Sequence, residues 1–379
     1  MGELRTDERD RRVSMGIGKK IDSFLNRLDR KRHIAQQVMG YKRRYSFVLK
    51  CNVQDPPAEI SADTINSVWN KYGKINPKWA QYYWSLNGIA SPYYIPTDFW
   101  FTKICRSMNS IDRFGWPLFQ DKNYLDMVFP LVRQPDVIIR NVSGQFLDAG
   151  FNTITAEDAA ALCKKEGDLI IKPSIESKGG KSIEFVNGSE DADTILSTLK
   201  NRGGDFVVQR VLQQHHKMSE LNPDSINSVR VMTLLWDGQV RVLSSLVRIG
   251  VKGCRIDNPH TSNGFSCVLT SEGKMVDKAY DRDWKPYTTL PNGVVVKGFE
   301  VPFYDRIVET VLNLHKRVPH FRLIGWDMTV SEDGESIMIE ANLDTPEIYF
   351  HQTGGGPLIQ DPELFNEIMD FVTGKGQKK

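Results

Sequence analysis

The sequence predicts an α+β protein in which a mainly helical amino-terminal region precedes two strand-rich units. Three observations carry that reading. Short apolar runs alternate with helical segments between residues 121 and 211, long apolar strands meet at Asp237-Gly238, and the residues before Tyr82 show helical rather than strand spacing. The expected division is 1–115 (helical and aromatic-rich), 116–205 (lysines and a glycine loop) and 206–379 (a hinge, an antiparallel sheet and a cluster of oxygen ligands).

Composition bounds the possibilities. With 379 residues, 40% hydrophobic and 25% charged, the chain can bury two or three packed units and is not disordered overall. A net charge of +2 from 49 basic and 47 acidic residues gives no global field, so nucleic acid is not an expected partner. Five cysteines (Cys51, Cys105, Cys163, Cys254, Cys267) lack C-x-x-C spacing, which fits a reducing cytoplasm. No apolar run approaches the roughly 20 residues of a membrane span, and no secretory leader is expected.

Taken in order, Met1 to Arg44 is strongly charged, with Ile21, Phe24, Leu25 and Leu28 at helical spacing. Such a helix packs on its own domain or lies on a partner or membrane surface, so peripheral association stays open. Ile60 to Trp84 continues helical, with Ile65, Val68, Trp69 and Tyr72 on one face. Tyr82 to Phe101 then concentrates aromatics (Tyr82, Tyr83, Trp84, Tyr93, Tyr94, Phe99, Trp100, Phe101). Core is the expected role, with a sugar-stacking platform as the functional alternative, beside Asp98 and Lys103.

Asp121-Lys122 opens a helix over Tyr124 to Val128, and strands are expected at Val137 to Ile139 and Phe151 to Ile154. Thr155 caps a helix from Ala156 to Lys164. A buried strand, Leu169 to Ile171, delivers Lys172 before Pro173 stops regular pairing. After a strand ending at Val186 and a helix from Ala192 to Lys200, Phe206 to Val211 is another buried strand. It runs into polar Gln213, Gln214, His215 and His216, an arrangement suited to reading an adenine edge with backbone groups. The paired histidines invite zinc, but no third ligand is spaced nearby, and they are expected near substrate or solvent.

Asn227 to Trp236 and Val240 to Ile249 form a hairpin around Asp237-Gly238, with Arg230 and Arg248 interrupting the apolar alternation. Arg255, Asp257, Asn258 and the loop Thr261 to Gly264 follow. Strands are then expected at Phe265 to Leu269 and, across Glu272-Gly273, Lys274 to Ala279. This sheet offers basic side chains to one face, unless the arginines simply sit on an exposed edge. Tyr304 to Lys316 is an amphipathic helix, Gly354 to Gly356 a loop, and Pro362 to Val372 a closing helix.

Two stretches carry chemistry. In Asp168 to Ile183 (DLIIKPSIESKGGKSI), Gly179, Gly180 and Lys181 make a loop whose N–H groups can approach phosphate oxygens. A Walker loop is excluded, because its opening glycine would fall at Ile175 and a strand follows where a helix should start. A plain glycine hairpin is the structural alternative.

In Ile324 to Tyr349, Asp327 lies in one apolar strand, and Glu340 and Asn342 end the next, joined by the turn Ser331 to Gly334. Three oxygen ligands then converge, the set that hard cations take, and Mg2+ with a nucleotide is the natural occupant. Ile337, Met338 and Ile339 are apolar on both faces, and Glu340 is expected to share the face of Met338. A carboxylate ending a buried run requires a partner.

Together these residues resemble the ATP-grasp superfamily, and within it the sugar-transfer associated ATP-grasp group found with polysaccharide biosynthesis, from about Asp121 to Ile359. The narrower resemblance rests on Leu221 to Arg230 (LNPDSINSVR) with Arg248 and Asp257-Asn258. One departure is that Asn263 then Gly264 stand before Phe265 where related proteins often carry two glycines. The resemblance implies an ATP-grasp fold, two α+β subdomains clamping ATP. It implies nucleotide contacts from Lys122, Lys172, Ser174, Gly179, Gly180, Lys181 and the hinge Gln209, Arg210, Val211 and Leu212. Asp327, Glu340 and Asn342 would be the metal triplet. Arg230, Arg248, Arg255 and Asn342 would stand near the γ-phosphate and a forming acyl phosphate. The implied activity is ATP- and Mg2+-dependent joining of a small-molecule or glycan carboxylate to an amine. A phosphotransferase on the same fold, or a nucleotide-binding module without turnover, are the alternatives. The amino-terminal third carries no ligase motif and is expected to hold acceptor specificity.

Overall fold

A computed structural model describes residues 45–109, 116–175, 182–343 and 346–375. The expected helix around Ile21 to Leu28 and the loop Gly179 to Lys181 lie outside them.

The first sheet contains β1 (Val137–Val142), β2 (Gln145–Asp148), β3 (Thr153–Ile154), β4 (Asp168–Pro173), β5 (Glu184–Asn187) and β6 (Phe206–Arg210), in the order β3-β2-β1-β6-β4-β5. All its pairings are antiparallel. Ser143 and Gly144 both take positive φ, the geometry of a two-residue hairpin turn, and this creates β2, which apolar alternation did not signal. β6 lies between β1 and β4, so the chain leaves this sheet after Arg210 rather than before Phe206.

Two helices cover one face of the sheet. In Ala156–Lys164, Thr155 and Asp158 form a capping box, and Asp191 caps Ala192–Asn201. Ala159, Cys163, Ile195 and Leu199 pack there with Leu169, Ile171, Phe206 and Val208. Alternation along β4 therefore turns Ile170 and Lys172 to the opposite face.

The second sheet contains β7 (Val229–Trp236), β8 (Gln239–Ile249), β9 (Phe265–Leu269), β10 (Ala279–Asp281), β11 (Pro286–Tyr287), β12 (Leu323–Val330) and β13 (Ser336–Asn342). Its order is β11-β10-β9-β8-β7-β12-β13. Asp237 and Gly238 take φ of 49° and 70°, as the expected hairpin requires. The strand expected over Lys274 to Ala279 is not formed: a bridge at Met275 and the short β10 stand in its place.

The helix Tyr304–His315 covers the back of this sheet through Ile307, Val311 and Leu314. Part of the front is covered by the aromatic region. Trp69, Tyr83, Phe99 and Trp100 pack there with Phe365 and Ile368 of the helix Pro362–Thr373 and with Met232, Leu234 and Leu323. The rings of Trp69 and Phe365 meet edge to face at 5.3 Å. These aromatics are core; they do not form an open stacking platform. Gly354 and Gly355 are not loop either, but belong to the helix Tyr349–Gly355, where a Cβ on Gly354 would stand 2.9 Å from Val268 Cγ2.

Candidate functional site

The two sheets meet along a cleft of about 580 Å3. Lys122, Ile170 and Lys172 line one wall; Arg248, Asp327 and Glu340 line the other. Strand parity sends Lys172 there, and burial pushes its ammonium down to about 8, with the nearby Lys122 adding to the effect against Glu340 and Asp257. The Lys122 N–H donates to Ser174 O at 2.9 Å, and the buried Ser174 donates its own N–H to Asp205 O at 3.0 Å. Lys122 Nζ stands 3.3 Å from Glu340 Oε2, a bridge between the walls.

At the end of β6, the hinge residues take separate positions. Gln209 is buried opposite Ile170, whereas Arg210, Val211 and Leu212 line the cleft. The Arg210 and Val211 N–H groups donate to Asp136 O and Asp168 O, each at 2.9 Å. The Arg210 guanidinium is drawn to Glu166 and Asp136, at 2.6 and 2.9 Å.

Four charged side chains meet on the second wall. Asp327 stands opposite Arg230 in the β12–β7 register and opposite Glu340 in the β12–β13 register. Arg230 grips Asp327 with two donors, Nε to Oδ1 and Nη2 to Oδ2 at 2.8 Å, both residues being buried. Arg248 Nη1 adds a bond to Oδ2 at 3.3 Å, and Asn342 Nδ2 lies 3.4 Å from the same oxygen. Burial alone would raise the Asp327 carboxyl, but Arg230 and Arg248 hold it well below the usual carboxylate range. Burial likewise acts to lower the Arg248 guanidinium, and Asp327, Glu347 and Asp257 reverse that. Gly325 leaves the space this needs: a Cβ there would stand 3.4 Å from Arg230 Cδ and 3.0 Å from Pro346.

Glu340 does not share the face of Met338. A bulge shifts the register between Asp327 and Met328, so that Met328 pairs with Met338 and Ile339 is the extra residue. Met338 and Ala341 pack in the back core, while Ile339 and Glu340 both line the cleft. Asp327, Glu340 and Asn342 thus stand close together and carry the oxygen donors that hard cations take, Asn342 being oriented by its Nδ2 bond to Gly325 O at 3.1 Å. Arg255 is not brought to this cluster. It lines the cleft elsewhere, bonded to Asp168 Oδ2 at 3.2 Å and stacked 3.9 Å over Phe185, so it ties the two walls together.

The sugar-transfer associated ATP-grasp family matches over residues 110–362. The chain belongs to that family. No curated protein matches it in sequence. Among solved structures, the ATP-grasp ligase PsnB complexed with minimal precursor, Mg and ADP is similar at 13% identity and a TM-score of 0.38, over 67% of this chain and 59% of that one. VanG D-Ala:D-Ser ligase from Enterococcus faecalis is similar at 15% and 0.41, over 68% and 61%. D-alanine–D-alanine ligase from Bacillus anthracis complexed with ATP is similar at 14% and 0.39, over 68% and 65%. The chain spans about three fifths of the length of the first two.

In this ATP-grasp chain, the phrase Leu221 to Arg230 is mostly scaffold. Asn227 Nδ2 donates to Met218 O and Asn222 O at 2.9 and 2.8 Å, and Gln214 Nε2 donates to Asn222 O and Ser225 O at 3.0 and 2.9 Å. This knot fastens the connector after β6 to the start of β7. Ser228 donates its N–H and hydroxyl to Asp257, which burial raises while Arg248 and Ser228 lower it. Asn263 adopts φ of 58°, a conformation asparagine tolerates, and Gly264 packs where a Cβ would stand 2.2 Å from Ile249 O. The departure from two glycines is therefore accommodated.

Sequence reasoning missed His351. It is buried one turn after Glu347, with Nδ1 2.9 Å from Ser244 Oγ and Nε2 without a partner among the described residues. Burial pushes its imidazole down to about 3, with Arg230 and Arg248 adding to the effect and Glu347 opposing it. A lone histidine after a strand gave no signal; its place follows from packing against β8.

Proposed function

We propose that the protein is an ATP- and Mg2+-dependent ligase that activates a carboxylate as an acyl phosphate and passes it to an amine, in the cytoplasm, during polysaccharide or glycoconjugate assembly. The observation that carries the reading is the buried Arg230–Asp327–Arg248 cluster beside the Lys122–Glu340 pair, at the end of the cleft into which Lys172 projects. In the proposal, residues 116–205 with β6 form the first subdomain, the following sheet the second, and residues 1–115 face the acceptor.

Asp327, Glu340 and Asn342 would hold Mg2+, which would supply positive charge against the phosphates. Lys122, Lys172, Ser174 and the loop Gly179 to Lys181 hold the phosphates, and the Gln209 to Leu212 backbone reads the base. Asp327 has about four acceptor sites, and Arg230, Arg248 and Asn342 already use them. Arg248 reaches Asp327 through a single 3.3 Å contact, whereas Arg230 has two. Arg248, which lines the cleft, would meet the charge that develops on the transferring phosphoryl group. Arg230 stays as the positioning partner of Asp327, and Arg255 closes the cleft wall.

Oxygen labelling tests the ligase. A carboxylate substrate carrying heavy oxygen is expected to yield ADP and free phosphate with one labelled oxygen, in step with an amide. Arg248→Ala is expected to lower turnover more than ATP affinity. A stoichiometric phosphorylated product without free phosphate would instead establish a phosphotransferase.

A further inference from the structure

The geometry points to a transition-metal site outside the cleft, formed by His215, His216 and Glu332. The ligand atoms of the two imidazoles and the carboxylate all lie within 4.8 Å of one another. The third ligand, absent from local spacing, comes from the turn between β12 and β13, more than a hundred residues further along the chain.

Adjacent side chains on an extended segment diverge, but here the backbone changes state between them. His215 is extended (φ −55°, ψ 140°) and caps the turn His216–Ser219. The two rings consequently stack with centroids 4.2 Å apart and planes tilted by 31°. Two further contacts pin the connector to the hairpin turn. The His215 N–H donates to Val330 O at 2.9 Å, and the His216 N–H donates to Glu332 Oε2 at 2.8 Å. His216 Nδ1 then lies 2.5 Å from Glu332 Oε1.

Two imidazoles and one carboxylate, with water completing a tetrahedron, suit Zn2+ or a similar borderline divalent ion and suit Mg2+ poorly. An ion replaces the hydrogen between His216 Nδ1 and Glu332 Oε1. His215 must give up the 3.1 Å bond that its Nδ1 accepts from the Lys217 N–H, whichever ring nitrogen ligates. That single long bond is minor beside three coordinate bonds. His216 and Glu332 are exposed, so the ion has access. The segment lies between Gln214 and Ser219, which line the cleft, and Glu332 sits on the hairpin that carries Asp327 and Glu340. A bound ion therefore staples the connector leaving the nucleotide hinge to the hairpin of the other wall.

The test uses the full chain, stripped of metal and kept in excess Mg2+, titrated with Zn2+ alone against a chromogenic chelator. One tight equivalent is expected, and Zn2+ should raise the unfolding midpoint. His216→Ala and Glu332→Gln should each weaken that equivalent by at least about tenfold and abolish the rise, while melting like the parent without Zn2+. Glu340→Gln, which alters the cleft, should retain it. No tight equivalent in the parent chain, unchanged binding in both surface variants, or loss in Glu340→Gln overturns the proposal.

Discussion

Along the front face of the second sheet, the same strands do opposite things at their two ends. Met232, Leu234, Leu246, Val268 and Leu323 lie under the aromatic helices as core. Two or four residues along, with side chains on the same face, stand Arg230, Arg248, Ser266 and Asp327. Backbone and parity are alike, so the difference lies in what covers each end. At one end apolar area removed from water stabilises the contact. At the other, the charges are buried and hold each other in place, and each depends on the partner opposite it.

That dependence makes the polar end the more fragile, and Asp327→Asn is the largest expected effect. It strands the buried Arg230 without its paired carboxylate and takes from Arg248 the nearest of its counter-charges, so stability should fall by about 3–5 kcal/mol in denaturant unfolding, together with turnover. An unchanged midpoint would show that water reaches the arginines and that the two ends do not differ in kind. Leu234→Ala attacks the apolar end. It should cost about 2–5 kcal/mol yet leave turnover per folded molecule unchanged, which activity normalised to the native fraction would measure.

Glu340→Gln sharpens the contrast within the polar end. Glu340 is partly exposed and its carboxylate forms an ion pair with Lys122. Its loss should change stability by under about 1 kcal/mol while removing Mg2+-dependent ATP turnover; calorimetry with and without Mg2+ reads the second effect. The smallest expected effect concerns pH. The Lys172 ammonium, pushed down to about 8, is charged below that pH and neutral above it, so ATP affinity should decline as pH rises through about 8. Between that value and the ordinary lysine range, the unfolded chain holds a proton the folded chain lacks, so this group's contribution to stability rises with pH. Lys172→Arg, always protonated, should flatten the affinity profile; a decline as steep as in the parent would assign it to another group.

Much of the fold was legible because its causes are local. The Thr155 cap, the Asp237-Gly238 turn and the apolar runs of β4, β6, β7 and β12 each depend on residues within a few positions. The lysines and acids were identifiable as types, and parity along β4 sent Lys172 toward the cleft. Failures occurred where a partner far along the chain decides. Gly354 and Gly355 read as loop because their reason, the close approach to Val268, lies on another strand.

By itself the sequence determined which residues are charged, most of the strands and helices, and which family the chain joins. Tertiary structure alone decided the bulge at Ile339 that turns Glu340 into the cleft, the grip of Arg230 on Asp327, the separate post of Arg255, and the meeting of His215 and His216 with Glu332. The physical reason is range. Caps, turns and periodicity are set by neighbours a turn apart, whereas register, burial of charge and ligand convergence depend on which distant strands come to lie side by side.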